Sequence, residues 1–339
     1  MLINNYDQAE GYISKAYQIA PYSFTILQTI IDINTYQGKY KNALKYLKEI
    51  TSLYPDDKEN NMILFQYYFQ SEKFINAQEI LDTLSKYHPN DVEVLFEKSR
   101  MQYLNKDWKN LIQTYYALYI SNTENIDIVN KIYDIGIMTG NTALVSNIFK
   151  EISIYNESPQ VIELLIEVLL AEKKLEEAID YVKMLIKIDG NTEKHIIRLG
   201  ELYLLNKQPN LTILALEPVF ESEKYTLEIL KLLLVAYSSI ENSENQIMIS
   251  KKIIEKYPDI PLGYEGLAFA YLKVRDYVNS MQILLEGLNK FPNEINFSIA
   301  IADIYHQSKD YNNAEKYYLY ALNIDSYMYS VHNLLAMMY

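Results

Sequence analysis

Apolar residues recur along this chain with the three- and four-residue spacing of amphipathic helices. Within residues 295–326, Ile301 and Tyr305 share one helical face, and Ala314 and Tyr318 share another after the polar stretch between them. This spacing predicts two helices joined by a short turn. The period-two alternation typical of strands is absent throughout, so the pattern predicts an all-α protein.

The predicted helix pair repeats with a period of 34 residues. Tyrosines follow this period at Tyr203, Tyr237, Tyr271, Tyr305 and Tyr339. A second series, mostly of small residues, runs through Ala9, Ala43, Ala77, Leu111, Val145, Ala178, Thr212, Gln246, Ser280 and Ala314. One residue is missing from the period near residues 141–178. A fixed period of this size is typical of stacked repeats, so the predicted fold class is an α-α superhelix, a solenoid of antiparallel helix pairs.

Residues 261–292 carry one full copy of a known repeat pattern. The pattern is carried by Tyr264, Leu267, Ala268 and Tyr271 in the first helix and by Ser280, Leu284, Gly287 and Pro292 in the second helix and after it. These places match W-x2-L-G-x2-Y, then A-x3-F, then P. The chain therefore resembles the tetratricopeptide repeat family, with about ten repeats in phase over its whole length.

Some repeats depart from this pattern. Gln246 and Ser250 stand where a small residue and an aromatic residue are expected. Pro218 falls inside a second helix, where it removes a backbone donor and should kink or shorten that helix. Ser158 followed by Pro159 predicts a helix start, and the stretch 154–159 is the one place where we expect a soft joint.

The predicted domain organisation is a single solenoid over residues 1–339. In the repeat register, residues from about 4 to 20 form a second helix without its mate. Residues from about 331 to 339 form a first helix without its mate, so we expect Leu335, Ala336 and Tyr339 to make an exposed end surface.

Composition limits the classes of partner. The 339 residues carry a net charge of −13, which disfavours nucleic acid because it repels phosphate backbones. The absence of cysteine excludes disulfides and thiolate metal sites. The first twenty residues do not have the pattern of a signal peptide, and the apolar runs are too short to span a bilayer. The sequence therefore predicts no membrane insertion and favours the cytoplasm, without fixing the compartment.

Few side chains have a spacing suited to catalysis or metal binding. Asp303 and His306 are three residues apart on one predicted helix, but no third metal ligand accompanies them. Glu163, Glu167 and Glu201 lie on neighbouring first helices, where a solvated acidic patch is favoured over acid–base chemistry. We therefore predict no catalytic residue, no cofactor and no metal.

The resemblance implies that the first helices line a concave groove which holds a peptide. Carried over to this register, the groove includes Asp32, Glu93, Phe96, Arg100, Asp134, Glu163, Glu167, Glu201, Phe269, Asp303 and His306. The set is mostly acidic with two aromatic rings. It suits a basic or basic-aromatic segment of a partner protein.

Three hypotheses of function follow. The first is a non-enzymatic scaffold that binds a partner segment in the groove. The second is a regulatory or targeting arm of a longer multidomain protein, which could be an enzyme. The third is end-to-end self-association, in which the two unmated helices of different copies pair with each other.

Overall fold

The computed structural model describes residues 6–121, 125–190, 192–223 and 225–338. Over these ranges it contains twenty α-helices and no β-strand. The chain divides into two compact units, residues 1–156 (unit 1) and residues 157–339 (unit 2). The division falls within the stretch 154–159, where the sequence pattern predicts a soft joint. The single solenoid over the whole chain stays a prediction.

The helices are numbered in chain order. In its described residues, unit 1 contains α1 (Tyr6–Ile19), α2 (Phe24–Tyr36), α3 (Tyr40–Leu53), α4 (Lys58–Gln70), α5 (Phe74–Tyr87), α6 (Val92–Leu104), α7 (Trp108–Ser121), α8 (Ile126–Thr139) and α9 (Thr142–Tyr155). Unit 2, over the part that the structure describes, contains α10 (Pro159–Ala171), α11 (Leu175–Asp189), α12 (Glu193–Leu205), α13 (Pro209–Glu221), α14 (Leu227–Ser239), α15 (Ser243–Lys256), α16 (Leu262–Lys273), α17 (Tyr277–Lys290), α18 (Ile295–Gln307), α19 (Tyr311–Ile324) and α20 (Tyr329–Met338).

The even-numbered helices are the first helices of the predicted repeats and are called A helices here. The odd-numbered helices are the second helices and are called B helices. Within each unit, consecutive helices pack directly against each other, and the short turns between them make neighbours antiparallel. The predicted all-α repeat class is therefore confirmed.

The turn from each A helix to its B helix has the same backbone geometry. One residue of each turn adopts a left-handed conformation, with φ between 56° and 73°, at Gly38, Glu72, Lys106, Gly140, Lys173, Lys207, Glu241, Arg275 and Lys309. These residues follow the 34-residue period except for one step of 33, from Gly140 to Lys173. That shorter step lies where the sequence predicted a missing residue.

Hydrogen bonds show why this geometry recurs. After α6, the N–H of Lys106 donates to the carbonyl of Tyr103 at 3.1 Å, and the N–H of Asp107 donates to the carbonyl of Gln102 at 2.9 Å. This is a Schellman motif, which satisfies the free carbonyls at a helix end. Glycine is the usual residue at its left-handed position, yet seven of the nine turns use Glu, Lys or Arg.

Polar side chains begin several A helices. At the start of α6, the carboxylate of Asp91 accepts hydrogen bonds from the N–H groups of Glu93 at 3.0 Å and Val94 at 3.2 Å. Lys58 Nζ lies 2.7 Å from the other carboxylate oxygen. The Lys58 ammonium and these N–H groups lower the pKa of Asp91 below its ordinary value. By contrast, α10 starts at Pro159 as predicted, but the Ser158 side chain makes no capping hydrogen bond.

The small residues of the B helices permit close contact with the A helices. Ala77 and Ala314 are fully buried. Where the small residue carries a hydroxyl, the hydroxyl donates to an A-helix carbonyl twelve residues earlier. Thr212 Oγ1 reaches the carbonyl of Gly200 at 3.1 Å, and Ser280 Oγ reaches the carbonyl of Ala268 at 3.0 Å. These hydrogen bonds satisfy the buried hydroxyls.

The repeats that depart from the sequence pattern also differ in structure. The helix α13 continues for three residues past Pro218 and has 13 residues, whereas the other B helices have 14 or 15. Gln246 and Ser250 are buried in α15, and the side-chain oxygen of each lacks a hydrogen-bond partner within the described residues.

Helices occupy both predicted end segments. The helix α1 lies in the first segment and packs against α2, and α20 lies in the last and packs against α19. The expectation of an exposed end surface is wrong for Leu335, which is buried because it joins Tyr318 and Val331 in an apolar cluster. Ala336 is exposed, and Tyr339 lies outside the described residues.

Candidate functional site

The residues predicted to line the groove all lie on A helices. Asp32 is on α2; Glu93, Phe96 and Arg100 are on α6; Asp134 is on α8; Glu163 and Glu167 are on α10; Glu201 is on α12; Phe269 is on α16; and Asp303 and His306 are on α18. The surface that the A helices form within each unit is called the A-helix face here. Within the described residues, three pockets open on it, one in unit 1 and two in unit 2.

Several side-chain contacts between successive A helices join residues that are 31 positions apart. The pairs are Gln66 with Glu97, Glu163 with Lys194, Glu167 with Arg198, and Glu265 with Asn296. This separation is one repeat less three residues, so each side chain contacts the next A helix about one turn nearer its start. The contact requires that neighbouring A helices lie side by side in a shifted register.

The first pocket of unit 2 lies between α10 and α12 and has a volume of about 470 Å³. The predicted acidic residues line it, but each of them faces a cation. Lys194 bonds Glu163 and Arg198 bonds Glu167, while Arg198 also lies 3.7 Å from Glu201. Neither cation was predicted as a site residue, although both stand 31 residues after the two glutamates in the sequence. The patch is therefore a network of ion pairs rather than an unpaired negative surface.

A buried imidazole lies beneath this network. His195 is 3% exposed, and its Nδ1 lies 3.5 Å from the carbonyl oxygen of Gly190. Its Nε2 lies 3.9 Å from Glu163 and 3.7 Å from Asp189. The two distances from Nε2 to the carboxylates are longer than hydrogen bonds, so His195 contributes to the floor of the pocket mainly by packing.

The pocket of unit 1 lies among α4, α6, α7 and α8 and has a volume of about 570 Å³. Phe96, a predicted groove residue, is half exposed on it. The Arg100 guanidinium lies 4.3 Å from the centre of the Phe69 ring and donates to Glu97 at 2.7 Å. Lys131 lies on the same pocket with its ammonium 5.7 Å from the centre of the Tyr115 ring. This pocket is therefore lined by rings and cations, unlike the acidic surface predicted for the whole groove.

The other acidic residues predicted in unit 1 are separate from this pocket. Asp32 accepts a hydrogen bond from Gln28 at 3.1 Å. Glu93 lies 3.1 Å from Lys58, and Asp134 is exposed on α8. These three carboxylates line none of the three pockets.

The second pocket of unit 2 lies among α14, α16 and α18 and has a volume of about 380 Å³. Phe269, the other predicted aromatic residue, forms part of its rim and is 48% exposed. Glu265 stands beside it and accepts a hydrogen bond from Asn296 at 2.9 Å. In the described part of the chain, Glu265 has no ion pair, so its charge remains available to a partner.

Asp303 and His306 take part in packing contacts. Asp303 accepts a hydrogen bond from the buried hydroxyl of Tyr318 at 2.5 Å. Burial of Tyr318, together with this carboxylate, raises the pKa of its phenol. The His306 ring packs edge-on against the Tyr311 ring, with their centres 5.6 Å apart. Among the residues described, no group of three or more His, Cys, Asp or Glu is arranged to hold a metal ion.

Charge is unequally divided between the two units. Residues 157–339 contain 26 of the 44 acidic residues and 17 of the 31 basic residues, a net charge of −9 out of −13. Unit 2 therefore produces the stronger attraction for cationic segments. None of the described helices combines the length and apolar character needed to cross a membrane.

The helix pairs, the left-handed turn residues and the A-helix face together define a helical repeat protein. The family model for the tetratricopeptide repeat matches residues 35–95, and this match confirms the predicted resemblance to that family over these residues. A search of curated proteins found no match.

Several solved structures are similar to the chain. MamA from Desulfovibrio magneticus is 12% identical and aligns over 50% of this chain and 96% of its own, with a TM-score of 0.45. A tetratricopeptide repeat protein from Parabacteroides merdae is 14% identical over 73% of this chain and 98% of its own, with a TM-score of 0.40. A structure of the APC/C hetero-tetramer Cut9-Hcn1 is 16% identical over 93% of this chain and 62% of its own, with a TM-score of 0.41.

Proposed function

We propose that this protein is a non-enzymatic scaffold that holds a segment of a partner protein against its A-helix face. The observation that carries the proposal is that pockets open on the A-helix face of each unit, with predicted groove residues on the surface of each pocket. A pocket of this kind accepts a side chain of a bound segment, while the polar groups around the pocket fix the direction of the segment.

The segment best suited to unit 2 is basic and aromatic. The net charge of −9 attracts cations to this unit. The cations Lys194 and Arg198 already pair with the carboxylates of α10, so we assign the attraction chiefly to Glu265, which has no ion pair among the described residues. The apolar pocket beside Glu265 then receives an aromatic side chain of the same segment.

The state of the carboxylates supports a binding role over a catalytic one. A general acid of this type must be desolvated enough to hold a proton near neutral pH. Glu163 and Glu167 instead bond Lys194 and Arg198, and their side chains are 41% and 50% exposed. Asp303 accepts a structural hydrogen bond from the Tyr318 hydroxyl.

The proposal is tested by the binding of labelled peptides to the full chain, measured by fluorescence polarisation. One peptide set combines Lys or Arg with aromatic residues, and a matched set has Glu in place of each Lys or Arg. We expect the basic set to bind and the acidic set to bind unit 2 far more weakly. Glu265→Lys should weaken the basic set about tenfold, a change equivalent to about 1.4 kcal/mol.

The matched control is Glu286→Lys on the B helix α17, where the side chain is exposed and away from the pockets. Both variants change the net charge equally. If Glu286→Lys weakens binding as much as Glu265→Lys, the attraction comes from the overall field and not from the A-helix face. If no peptide of either set binds, the proposed function is wrong.

The alternatives drawn from the sequence stay predictions. A role as the arm of a longer protein is tested by reading the sequence on either side of this chain in its gene. End-to-end self-association is tested by light scattering over a range of protein concentrations, where a constant monomer mass would contradict it.

A further inference from the structure

The pocket among α14, α16 and α18 has an apolar wall and a polar floor. Its wall is built by the side chains of Leu234, Val235, Phe269, Leu272, Leu284 and Phe297. Gln246 of α15 contributes the polar part of the floor. The volume of about 380 Å³ is enough for one large aromatic side chain.

The floor contains a polar group in an unfavourable state. Gln246 is 2% exposed, and its side-chain carbonyl oxygen has no hydrogen-bond partner in the described chain. Ser250, one turn further along α15, is fully buried, and its hydroxyl likewise lacks a partner. A buried acceptor without a donor destabilises a folded protein. These two residues are therefore poor choices if the only requirement is a stable core.

The packing around Gln246 and Ser250 differs from that in the other repeats. In most repeats the first of these two places is small and the second is large, as with Ala314 and Tyr318. Here the order is reversed, and Gly266 of α16 lies directly over Ser250. A Cβ atom at Gly266 would lie 2.7 Å from Ser250 Oγ and 2.9 Å from a methyl carbon of Leu234. The small residues Gly266 and Ser250 let α16 approach α15 closely, and Gln246 remains as the polar floor below the pocket.

The rim combines exposed apolar groups with one carboxylate. Val235 is 52% exposed and Phe269 is 48% exposed, so both present apolar surface to a partner. Glu265 lies beside them with no cation bound to it in the described residues. A side chain that enters between the two apolar groups would place its neighbour in the partner chain close to this carboxylate.

We propose that this pocket binds the indole ring of a tryptophan that stands next to a lysine or arginine in the partner segment. The inference rests on the proposed function and specifies its partner at this position. The ring fills the apolar walls, its N–H donates to the Gln246 carbonyl after rotation of the amide, and the adjacent cation pairs with Glu265.

The donor chemistry favours indole over other large side chains. Leucine and phenylalanine fill the walls but leave the Gln246 oxygen unpaired. A tyrosine hydroxyl donates, but it also brings an acceptor into an apolar space. The indole N–H is a donor only, so it matches a floor whose unpaired group is the carbonyl oxygen of Gln246.

The experiment uses the full chain and the probe N-acetyl-lysyl-(5-fluoro)tryptophan amide, observed by fluorine NMR titration. The comparison probe contains 4-fluorophenylalanine instead. Gln246→Met keeps the side-chain length and removes the unpaired oxygen. We expect this variant to raise Tm, because a buried unpaired acceptor is lost. We also expect it to lower the affinity for the tryptophan probe about fivefold and to leave the affinity for the phenylalanine probe unchanged.

A second variant tests the rim without altering the buried floor. Phe269→Ala should weaken both probes, because it removes an apolar wall. Phe74→Ala is its matched control, since Phe74 is 42% exposed on the B helix α5 and does not line this pocket. The control should leave both titrations unchanged.

The outcomes separate this inference from the proposed function. If Gln246→Met lowers Tm or leaves the tryptophan probe unaffected, the indole assignment is wrong. If basic segments still bind in a manner sensitive to Glu265→Lys, the proposed function survives that failure. If no segment binds the full chain, both are wrong.

Discussion

The left-handed turn at Lys106 leads to a prediction about stability. Lys106 lies in the turn after α6 with φ of 56°, and its side chain is exposed. A side chain with a Cβ atom disfavours this conformation by about 1–2 kcal/mol. Glycine adopts it freely, but glycine also adds conformational entropy to the unfolded chain, which lowers the free energy of unfolding by about 0.5–1 kcal/mol. We therefore expect Lys106→Gly to stabilise unit 1 by about 0.5–1 kcal/mol.

The assay uses the position of Trp108, the single tryptophan of the chain. Its ring packs edge-on against Tyr103, with their centres 5.6 Å apart, so its fluorescence reports unfolding around this turn. With an m-value of about 2 kcal/mol/M in urea, the predicted gain raises the urea midpoint by roughly 0.3–0.5 M.

The matched control is Asn105→Gly, one residue earlier. Asn105 has φ of −79° and ψ of −3°, a right-handed conformation in which glycine has no advantage. This variant should lower stability by about 0.5–1 kcal/mol. If Lys106→Gly lowers the midpoint as much as Asn105→Gly does, the turn is not strained and the reasoning is wrong.

Three further predictions concern packing, helix continuity and pH. A Cβ atom at Gly287 would lie 2.5 Å from the Phe297 ring, so Gly287→Ala should lower the free energy of unfolding in urea by about 1–3 kcal/mol. Gly11 has open space around it, so Gly11→Ala should raise the free energy of unfolding by about 0.5–1 kcal/mol. Equal effects of the two variants would contradict the packing argument. Pro218→Ala restores a helical N–H and should stabilise α13 by about 1–3 kcal/mol, seen as slower amide exchange after residue 218; unchanged exchange would refute this. The folded-state pKa of Asp91 lies below its ordinary value of 3.8, so the stability that its charge contributes is present above that pH and is lost as the pH falls through the folded pKa. Asp91→Asn should therefore lower the free energy of unfolding by about 0.5 kcal/mol at pH 7 and leave it unchanged near the acid limit of folding. A loss of stability that persists at low pH would contradict the role given to the Asp91 charge.

The helices were predictable because their apolar residues repeat with a strict period. Tyr305 and Ala314 lie on the adjacent helices α18 and α19, as the spacing required. The missing residue in the period was also visible, and it reappears as the short step between Gly140 and Lys173. The left-handed turns were not visible, because most of them carry Lys, Glu or Arg, which are common within helices. The packing of the flanking helices imposes that conformation.

The positions of the site residues were predictable, but their contacts were not. The repeat register placed Glu163 and Glu167 on an A helix. Their pairing with Lys194 and Arg198 depends on the offset between neighbouring A helices along the helix axis. That offset is a property of packing between repeats and appears in the sequence only as charges 31 residues apart. Leu335 was misjudged because the end surface was inferred without the cover that α19 supplies.

The central claim, that a partner segment binds on the A-helix face, is tested most directly by photo-crosslinking. A benzophenone side chain is placed at Val235 on α14 in one variant and at Val278 on α17 in another, since both valines are exposed, at 52% and 80%. Each variant is irradiated with a bound basic-aromatic peptide, and the crosslinked product is measured by mass spectrometry. We expect crosslinks from position 235 and none from position 278. Equal crosslinking from both positions, or crosslinking from position 278 alone, would contradict the account.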